Sequence, residues 1–116
     1  MSGRRSRTKG HAWERAVAKL MEANGHPEAR RGLTQSRGAE HCDVEGTPYW
    51  VECKVGAMPN PRAALRQAMG DTDGRPVVCV LKDNSPGGSK PAFEWAAMPL
   101  AVFLALDSKQ STRGEE

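Results

Sequence analysis

The sequence predicts a single α/β domain in which a mixed sheet is flanked by helices. Three observations carry that reading. Residues 41–55 alternate like two strands joined at a turn containing Gly46 and Pro48, since strand side chains point to opposite faces with a period of two. Val77, Val78, Cys79, Val80 and Leu81 form a continuous apolar run, typical of a strand covered on both faces. Segments with apolar residues at helical spacing precede and separate these strands. A chain of 116 residues suffices for one domain with a modest core.

In chain order, Arg4, Arg5, Arg7 and Lys9 fall within the first nine residues with no acid among them. Residues 1–9 therefore read as a disordered basic arm able to contact phosphates, or as a solubilising tail. From Gly10 to Asn24, the residues Ala12, Trp13, Ala16, Val17, Leu20 and Met21 recur on one helical face, and Gly25 supplies a stop. Glu14 borders that apolar stripe, so it either packs its stem at the surface or reaches a site beneath the helix. A short strand is expected near 29–33, followed by a loop. Arg30, Arg31 and Arg37 would there lie beside the hairpin, either solvated or gripping phosphates.

Asn60 is a natural N-cap with Pro61 at the first helical position, opening a helix through Met69 that Gly70 ends. Gln67 lies on it, as a site residue or a solvent-facing amide. Residues 71–76 read as a turn, whose paired aspartates Asp71 and Asp73 only faintly suggest a metal loop. The strand 77–81 follows, then a loop whose Gly87, Gly88, Ser89 and Lys90 lack the spacing of a phosphate-binding loop. An edge strand at 93–98 and a short apolar helix from Pro99 to Leu106 complete a domain spanning 10–107. That helix is apolar nearly all round, so it closes the core or forms a dimer surface. Residues 108–116 read as a disordered polar tail.

The chemistry concentrates in the hairpin. Trp50, Glu52 and Lys54 share one face of their strand and Val51, Cys53 and Val55 the other, while Asp43 lies on the facing strand. Two carboxylates converging beside an ammonium suit a divalent cation. Mg²⁺ takes oxygen ligands and is commonly held by one or two carboxylates plus substrate phosphate. Such an ion polarises a phosphodiester and generates a nucleophile from bound water at neutral pH. Lys54 would orient that water or neutralise charge on the phosphate oxygens.

Asp43 followed by Glu52, Cys53 and Lys54 resembles the PD-(D/E)xK nuclease superfamily. More narrowly, Lys9, Gly10, Trp13, Glu14, Arg15, Gly25, Arg30, Arg31, Ser36, Arg37, Gly38, Asp43 and the Glu52 to Lys54 triplet resemble archaeal-type Holliday-junction resolvases and their phage relatives, over about residues 9 to 82. That resemblance implies a restriction-endonuclease-like mixed sheet, phosphodiester hydrolysis with Mg²⁺ or Mn²⁺, branched DNA as substrate, and a homodimer. It matches Asp43, Glu52 and Glu14 with metal-site acids, Lys54 with the catalytic lysine, Gln67 with a polar residue on the following helix, and Ser36 with an active-site serine. Nucleic-acid contacts would fall on Arg4, Arg5, Arg7, Lys9, Arg15, Arg30, Arg31, Ser36 and Arg37. Two departures stand out: Cys42 precedes Asp43 where the superfamily often has proline, and the segment from Ser36 to Asp43 is shorter than in the archaeal resolvases.

Charge and composition agree with that class. The net charge is +3 and the pI near 9.0. Three cysteines, an odd number, read as reduced buried thiols of a cytoplasmic protein. No long apolar run suggests a membrane span and the first residues lack a signal-peptide core. Zinc on His41, Cys42 and Cys53 is disfavoured because no paired-ligand spacing exists. The expectation is thus a Mg²⁺-dependent endonuclease that resolves DNA junctions as a dimer. Its alternatives are a nuclease-like nucleic-acid-binding module without catalysis and an endonuclease for other branched or duplex DNA.

Overall fold

A computed structural model describes residues 2–32, 42–85 and 93–115, with side chains placed from Thr8 to Gln110 within those ranges. The elements run α1 (Ser2–Ala23), β1 (Arg30–Arg31), β2 (Val44–Glu45), β3 (Trp50–Gly56), α2 (Pro61–Asp71), β4 (Val77–Asp83), β5 (Phe93–Ala97) and α3 (Leu100–Glu115). The sheet has five strands in the order β1-β2-β3-β4-β5. β3 and β4 are parallel and every other pair antiparallel, so the predicted mixed sheet is present with the hairpin strand β3 at its centre. α2 makes the crossover that a parallel pair requires.

Alternation on β3 and β4 divides the core in two. Trp50 of β3 and Val77, Cys79 and Leu81 of β4 pack with Ala64 and Ala68 of α2 on one face. Val51 and Cys53 face the other way and pack with Val44 and with Trp13, Val17 and Ala18 of α1. The small residues of α2 let that helix lie close to the sheet. The α1 layer is additionally tied to β4, where the Trp13 indole N–H donates to the Val80 carbonyl at 3.1 Å.

The helix ends follow from local chemistry. Asn60 caps α2 by accepting from the Ala63 N–H at 3.1 Å, with Pro61 directly after it. At the end of α1, Gly25 is left-handed with φ +109° and the His26 N–H returns to the Met21 carbonyl, the long bond of a Schellman cap. Gly46, at φ +85°, turns from β2 towards β3; a side chain there would collide with the Glu28 carbonyl.

Two expectations at the chain ends are corrected. Residues 2–9, read as a disordered arm, are the first turns of α1, and α3 runs through Glu115 instead of stopping before a polar tail. Arg, Lys and Gln are good helix formers and neither segment contains proline, so each continues the helix it adjoins. α2 likewise passes Gly70 and is capped at Thr72. Ser36 and Arg37, and the side chains of Arg4, Arg5 and Arg7, lie outside the described residues. α3 does not close the core: Leu100, Phe103 and Leu104 are 70%, 51% and 52% exposed. Its half-buried side, at Val102 and Leu106, borders an apolar hollow with Pro48, Tyr49 and Pro76. Among the described residues no helix is long and apolar enough to cross a membrane.

Because Leu81 is fully buried between β3, β5 and α2, Leu81→Ala should cost about 3 kcal/mol in urea unfolding. Asn60→Ala should cost about 1 kcal/mol by removing the cap. A loss under about 1 kcal/mol for Leu81→Ala would contradict this packing.

Candidate active site

The site forms where β2 begins beside β3. The Asp43 N–H donates to the Val51 carbonyl at 2.9 Å and its own carbonyl accepts from Gly32, which ties together the chain segments around β1, β2 and β3. The next donor along β3, the Cys53 N–H, is met by the Asp43 carboxylate at 2.7 Å. Asp43 therefore completes the strand pairing with its side chain, and its charge is felt at Glu52.

Glu52 is on β3 and only 8% exposed. Burial, followed by the negative charge of Asp43, raises its carboxyl to about 7, against the opposing influence of Lys54. Asp43 is raised to about 6, again chiefly by burial, with the Cys53 N–H pulling it down and the charge of Glu14 pushing it up. Withdrawal from water destabilises each carboxylate and its neighbours add repulsion. Both groups sit where a divalent cation would be stabilised.

Lys54 projects beyond Glu52 on the same face. Its ammonium is 3.6 Å from Glu52 Oε2 and donates to Gln67 Oε1 at 3.3 Å. Gln67, exposed on α2, thus meets Lys54 of the hairpin from across the crossover. Asp71 at the end of α2 adds a further charge that raises Glu52; its short-range sequence context gave no sign of this.

Glu14 occupies the opposite side of Asp43. It is 8% exposed on α1 and its Oε1 accepts from Arg31 Nε at 2.8 Å. The acids form a chain, Glu14 to Asp43 to Glu52, with Arg31 at one end and Lys54 at the other. Among the described residues no three metal-binding side chains form a ready-made cluster. Asp43 and Glu52 are the pair fitted to hold a cation, since Mg²⁺ needs only one or two carboxylates and keeps waters.

The remaining basic residues divide clearly. Arg31 turns inward to Glu14, whereas Arg30 donates locally to the Glu28 carbonyl at 3.2 Å. Arg15 and Lys9 are exposed on α1. Asp73 belongs to a turn, where Arg75 binds it at 3.0 Å, reaches Glu45 at 3.2 Å and lies over the Trp50 ring. That brace was not anticipated because its partners are scattered along the chain. Cys42, Cys53 and Cys79 are buried free thiols; burial raises Cys53 further from ionisation, as do the nearby acids.

No protein-family model, curated protein or solved structure matches the chain.

The raised carboxyls have a measurable consequence. Their protons are retained in the folded chain to higher pH than in the unfolded one, so the associated stability is complete below about pH 4 and is lost as pH rises through 6 and 7. The metal-free protein should lose roughly 2 kcal/mol, or about 10 °C in melting temperature, between pH 5 and pH 8. Glu52→Gln should flatten that slope, and Mg²⁺ should raise the melting temperature at pH 8 for the wild type but not for Asp43→Asn/Glu52→Gln. A wild-type slope unchanged by Glu52→Gln would refute the assignment.

Proposed function

We propose that this protein is a metal-dependent DNA endonuclease, with Holliday junctions as its substrate and a symmetric dimer as its working form. The observation that carries the reading is the half-buried Asp43 and buried Glu52 with Lys54 held beside them by Gln67. A nucleic-acid-binding surface gains nothing from two acids withdrawn from water, because they repel phosphate; cations serve binding better. Two acids become useful when they hold a divalent metal.

Asp43 and Glu52 would hold Mg²⁺ or Mn²⁺. When bound, such an ion supplies Lewis acidity towards the scissile phosphate and a water of lowered pKa. The chain's own groups do the rest. Cys53 fixes the Asp43 carboxylate through its backbone N–H, Gln67 aims the Lys54 ammonium, and Lys54 neutralises charge developing on phosphate oxygens. Glu14 acts behind Asp43 as an auxiliary acid whose charge keeps the site selective for cations, while Arg31 limits its repulsion.

The sequence pattern of Asp43, Glu52 and Lys54, with its likeness to junction resolvases, supports the choice of phosphodiester and of branched DNA. A four-way junction offers equivalent strands related by a two-fold axis, which a dimer with one self-complementary interface would cut in pairs. The exposed row Leu100, Phe103 and Leu104 on α3 is the apolar surface available for that interface.

Labelled four-way junction, flap, linear duplex and single strand, incubated with Mg²⁺ or EDTA, test the reading. Paired metal-dependent cuts on the junction are expected, abolished by Asp43→Asn and slowed roughly a hundredfold or more by Lys54→Ala. Metal-dependent cutting of every substrate would remove the junction claim alone. Tight binding without cleavage by the wild type would leave a binding module. In light scattering, Phe103→Glu should convert a dimer to a monomer; a monomeric wild type at micromolar concentration would discard the dimer.

A further inference from the structure

Met58 is the most exposed large apolar side chain among the described residues, at 80%. It lies in the loop between β3 and α2, four positions past Lys54. Its backbone is left-handed, φ 51°, the one non-glycine residue in that region among those described. Methionine gains nothing locally from this conformation, which is unfavourable for residues with a Cβ and persists only when the surroundings enforce it. Here the end of β4 enforces it. The Met58 N–H donates to Asp83 Oδ1 at 3.1 Å, the same oxygen accepts from Ser85, and the Asn84 N–H donates to the Gly56 carbonyl at 3.0 Å. The loop is clamped to the sheet with an apolar side chain pointing into water.

The acid beside the loop, Asp83, has Oδ1 engaged by the Met58 and Ser85 N–H groups, and the segment that follows is basic. From Cys53 to Gly70 the chain has Lys54, Arg62 and Arg66 and no acid, and both arginines are exposed one turn apart on α2. A flexible apolar side chain on a rigid loop, flanked by cations, fits a polyanion with an apolar interior. Phe93, the ladder partner of Asp83, stacks on Trp95 at the same end of the sheet and offers an aromatic surface to a displaced base.

We propose that Met58 is a wedge that enters the base stack at the branch point of bound DNA, while Lys54, Arg62 and Arg66 receive the flanking phosphates. This rests on the nuclease reading and adds to it the residue that senses shape. Apolar side chains inserted between base steps unstack them at a cost of a few kcal/mol, and that cost is smallest where stacking is already interrupted. Met58 would thereby favour junctions over continuous duplex without reading sequence.

The test uses the full chain and a four-way junction carrying 2-aminopurine at the branch point, with EDTA present so that no strand is cut. Wild type should bind, by fluorescence anisotropy, and increase 2-aminopurine emission. Met58→Ala should melt as the wild type does but lose the increase even at a concentration where anisotropy shows the junction saturated, and Met58→Leu should restore it. Alanine shares the left-handed backbone penalty of methionine, so the comparison isolates the side chain. An equal increase with Met58→Ala would overturn the wedge and leave the nuclease reading, judged separately by Asp43→Asn cleavage, intact. A wild type that binds no junction would overturn both.

Discussion

The bond from the Cys53 N–H to the Asp43 carboxylate is the constraint on which the site depends. In an ordinary ladder that donor would meet a carbonyl, and the facing side chain would be free to rotate. Here the strand pairing of β2 stops short and the side chain takes over. The hydrogen bond belongs to the backbone bookkeeping of the sheet, so the carboxylate is as fixed as the strand itself. Asparagine keeps an oxygen for that bond but loses the charge, so Asp43→Asn separates the structural use of the residue from its electrostatic one.

Fixing Asp43 there also brings its charge to bear on Glu52, and the protein bears the electrostatic cost. Both carboxyls are pushed towards neutrality, to about 6 and about 7, chiefly by lost hydration, with the charge of Glu14 adding at Asp43 and that of Asp43 adding at Glu52. A fold selected only for stability would place apolar residues at these positions, as it does at Val51 and Cys53 on the opposite face. Lys54 offsets part of the repulsion from the solvent side, at 3.6 Å. Its contribution is limited by partial exposure, which screens the pair. The residual strain is what a bound cation would relieve, so stability and metal affinity are coupled through the same two groups.

Much of this was legible in the sequence because it depends on periodicity. Alternation along β3 separates Glu52 and Lys54 from Val51 and Cys53, and the split core follows it residue by residue. Asn60 and Pro61 declare the start of α2, and the helix then delivers Gln67 to Lys54. What was not legible depends on long-range partners or on propagation. Arg31 reads as a phosphate contact until Glu14, seventeen residues earlier, is seen to take its guanidinium. The brace of Arg75 on Asp73, Glu45 and Trp50 joins residues that no period relates. The sequence at the outer ends of α1 and α3 has no apolar periodicity, so composition pointed to disorder where continuation of an existing helix costs little.

The two helices that cover the sheet do unequal work at the site. α1 brings an acid, Glu14, to one side of Asp43, and α2 brings a neutral amide, Gln67, to the lysine on the other. The electrostatic field across the hairpin therefore runs from an acid and arginine pair on the α1 side to an ammonium on the α2 side, with the cation-fitted carboxylates between them. A phosphodiester approaching from the α1 side would meet the repulsion of Glu14, only part of which Arg31 cancels. From the α2 side it meets Lys54 and the exposed Arg62 and Arg66, with no acid between Glu52 and Asp71. On the proposed function, the basic residues of α2 mark the side from which DNA would enter, and it is the side where Asp83 clamps the loop carrying Met58.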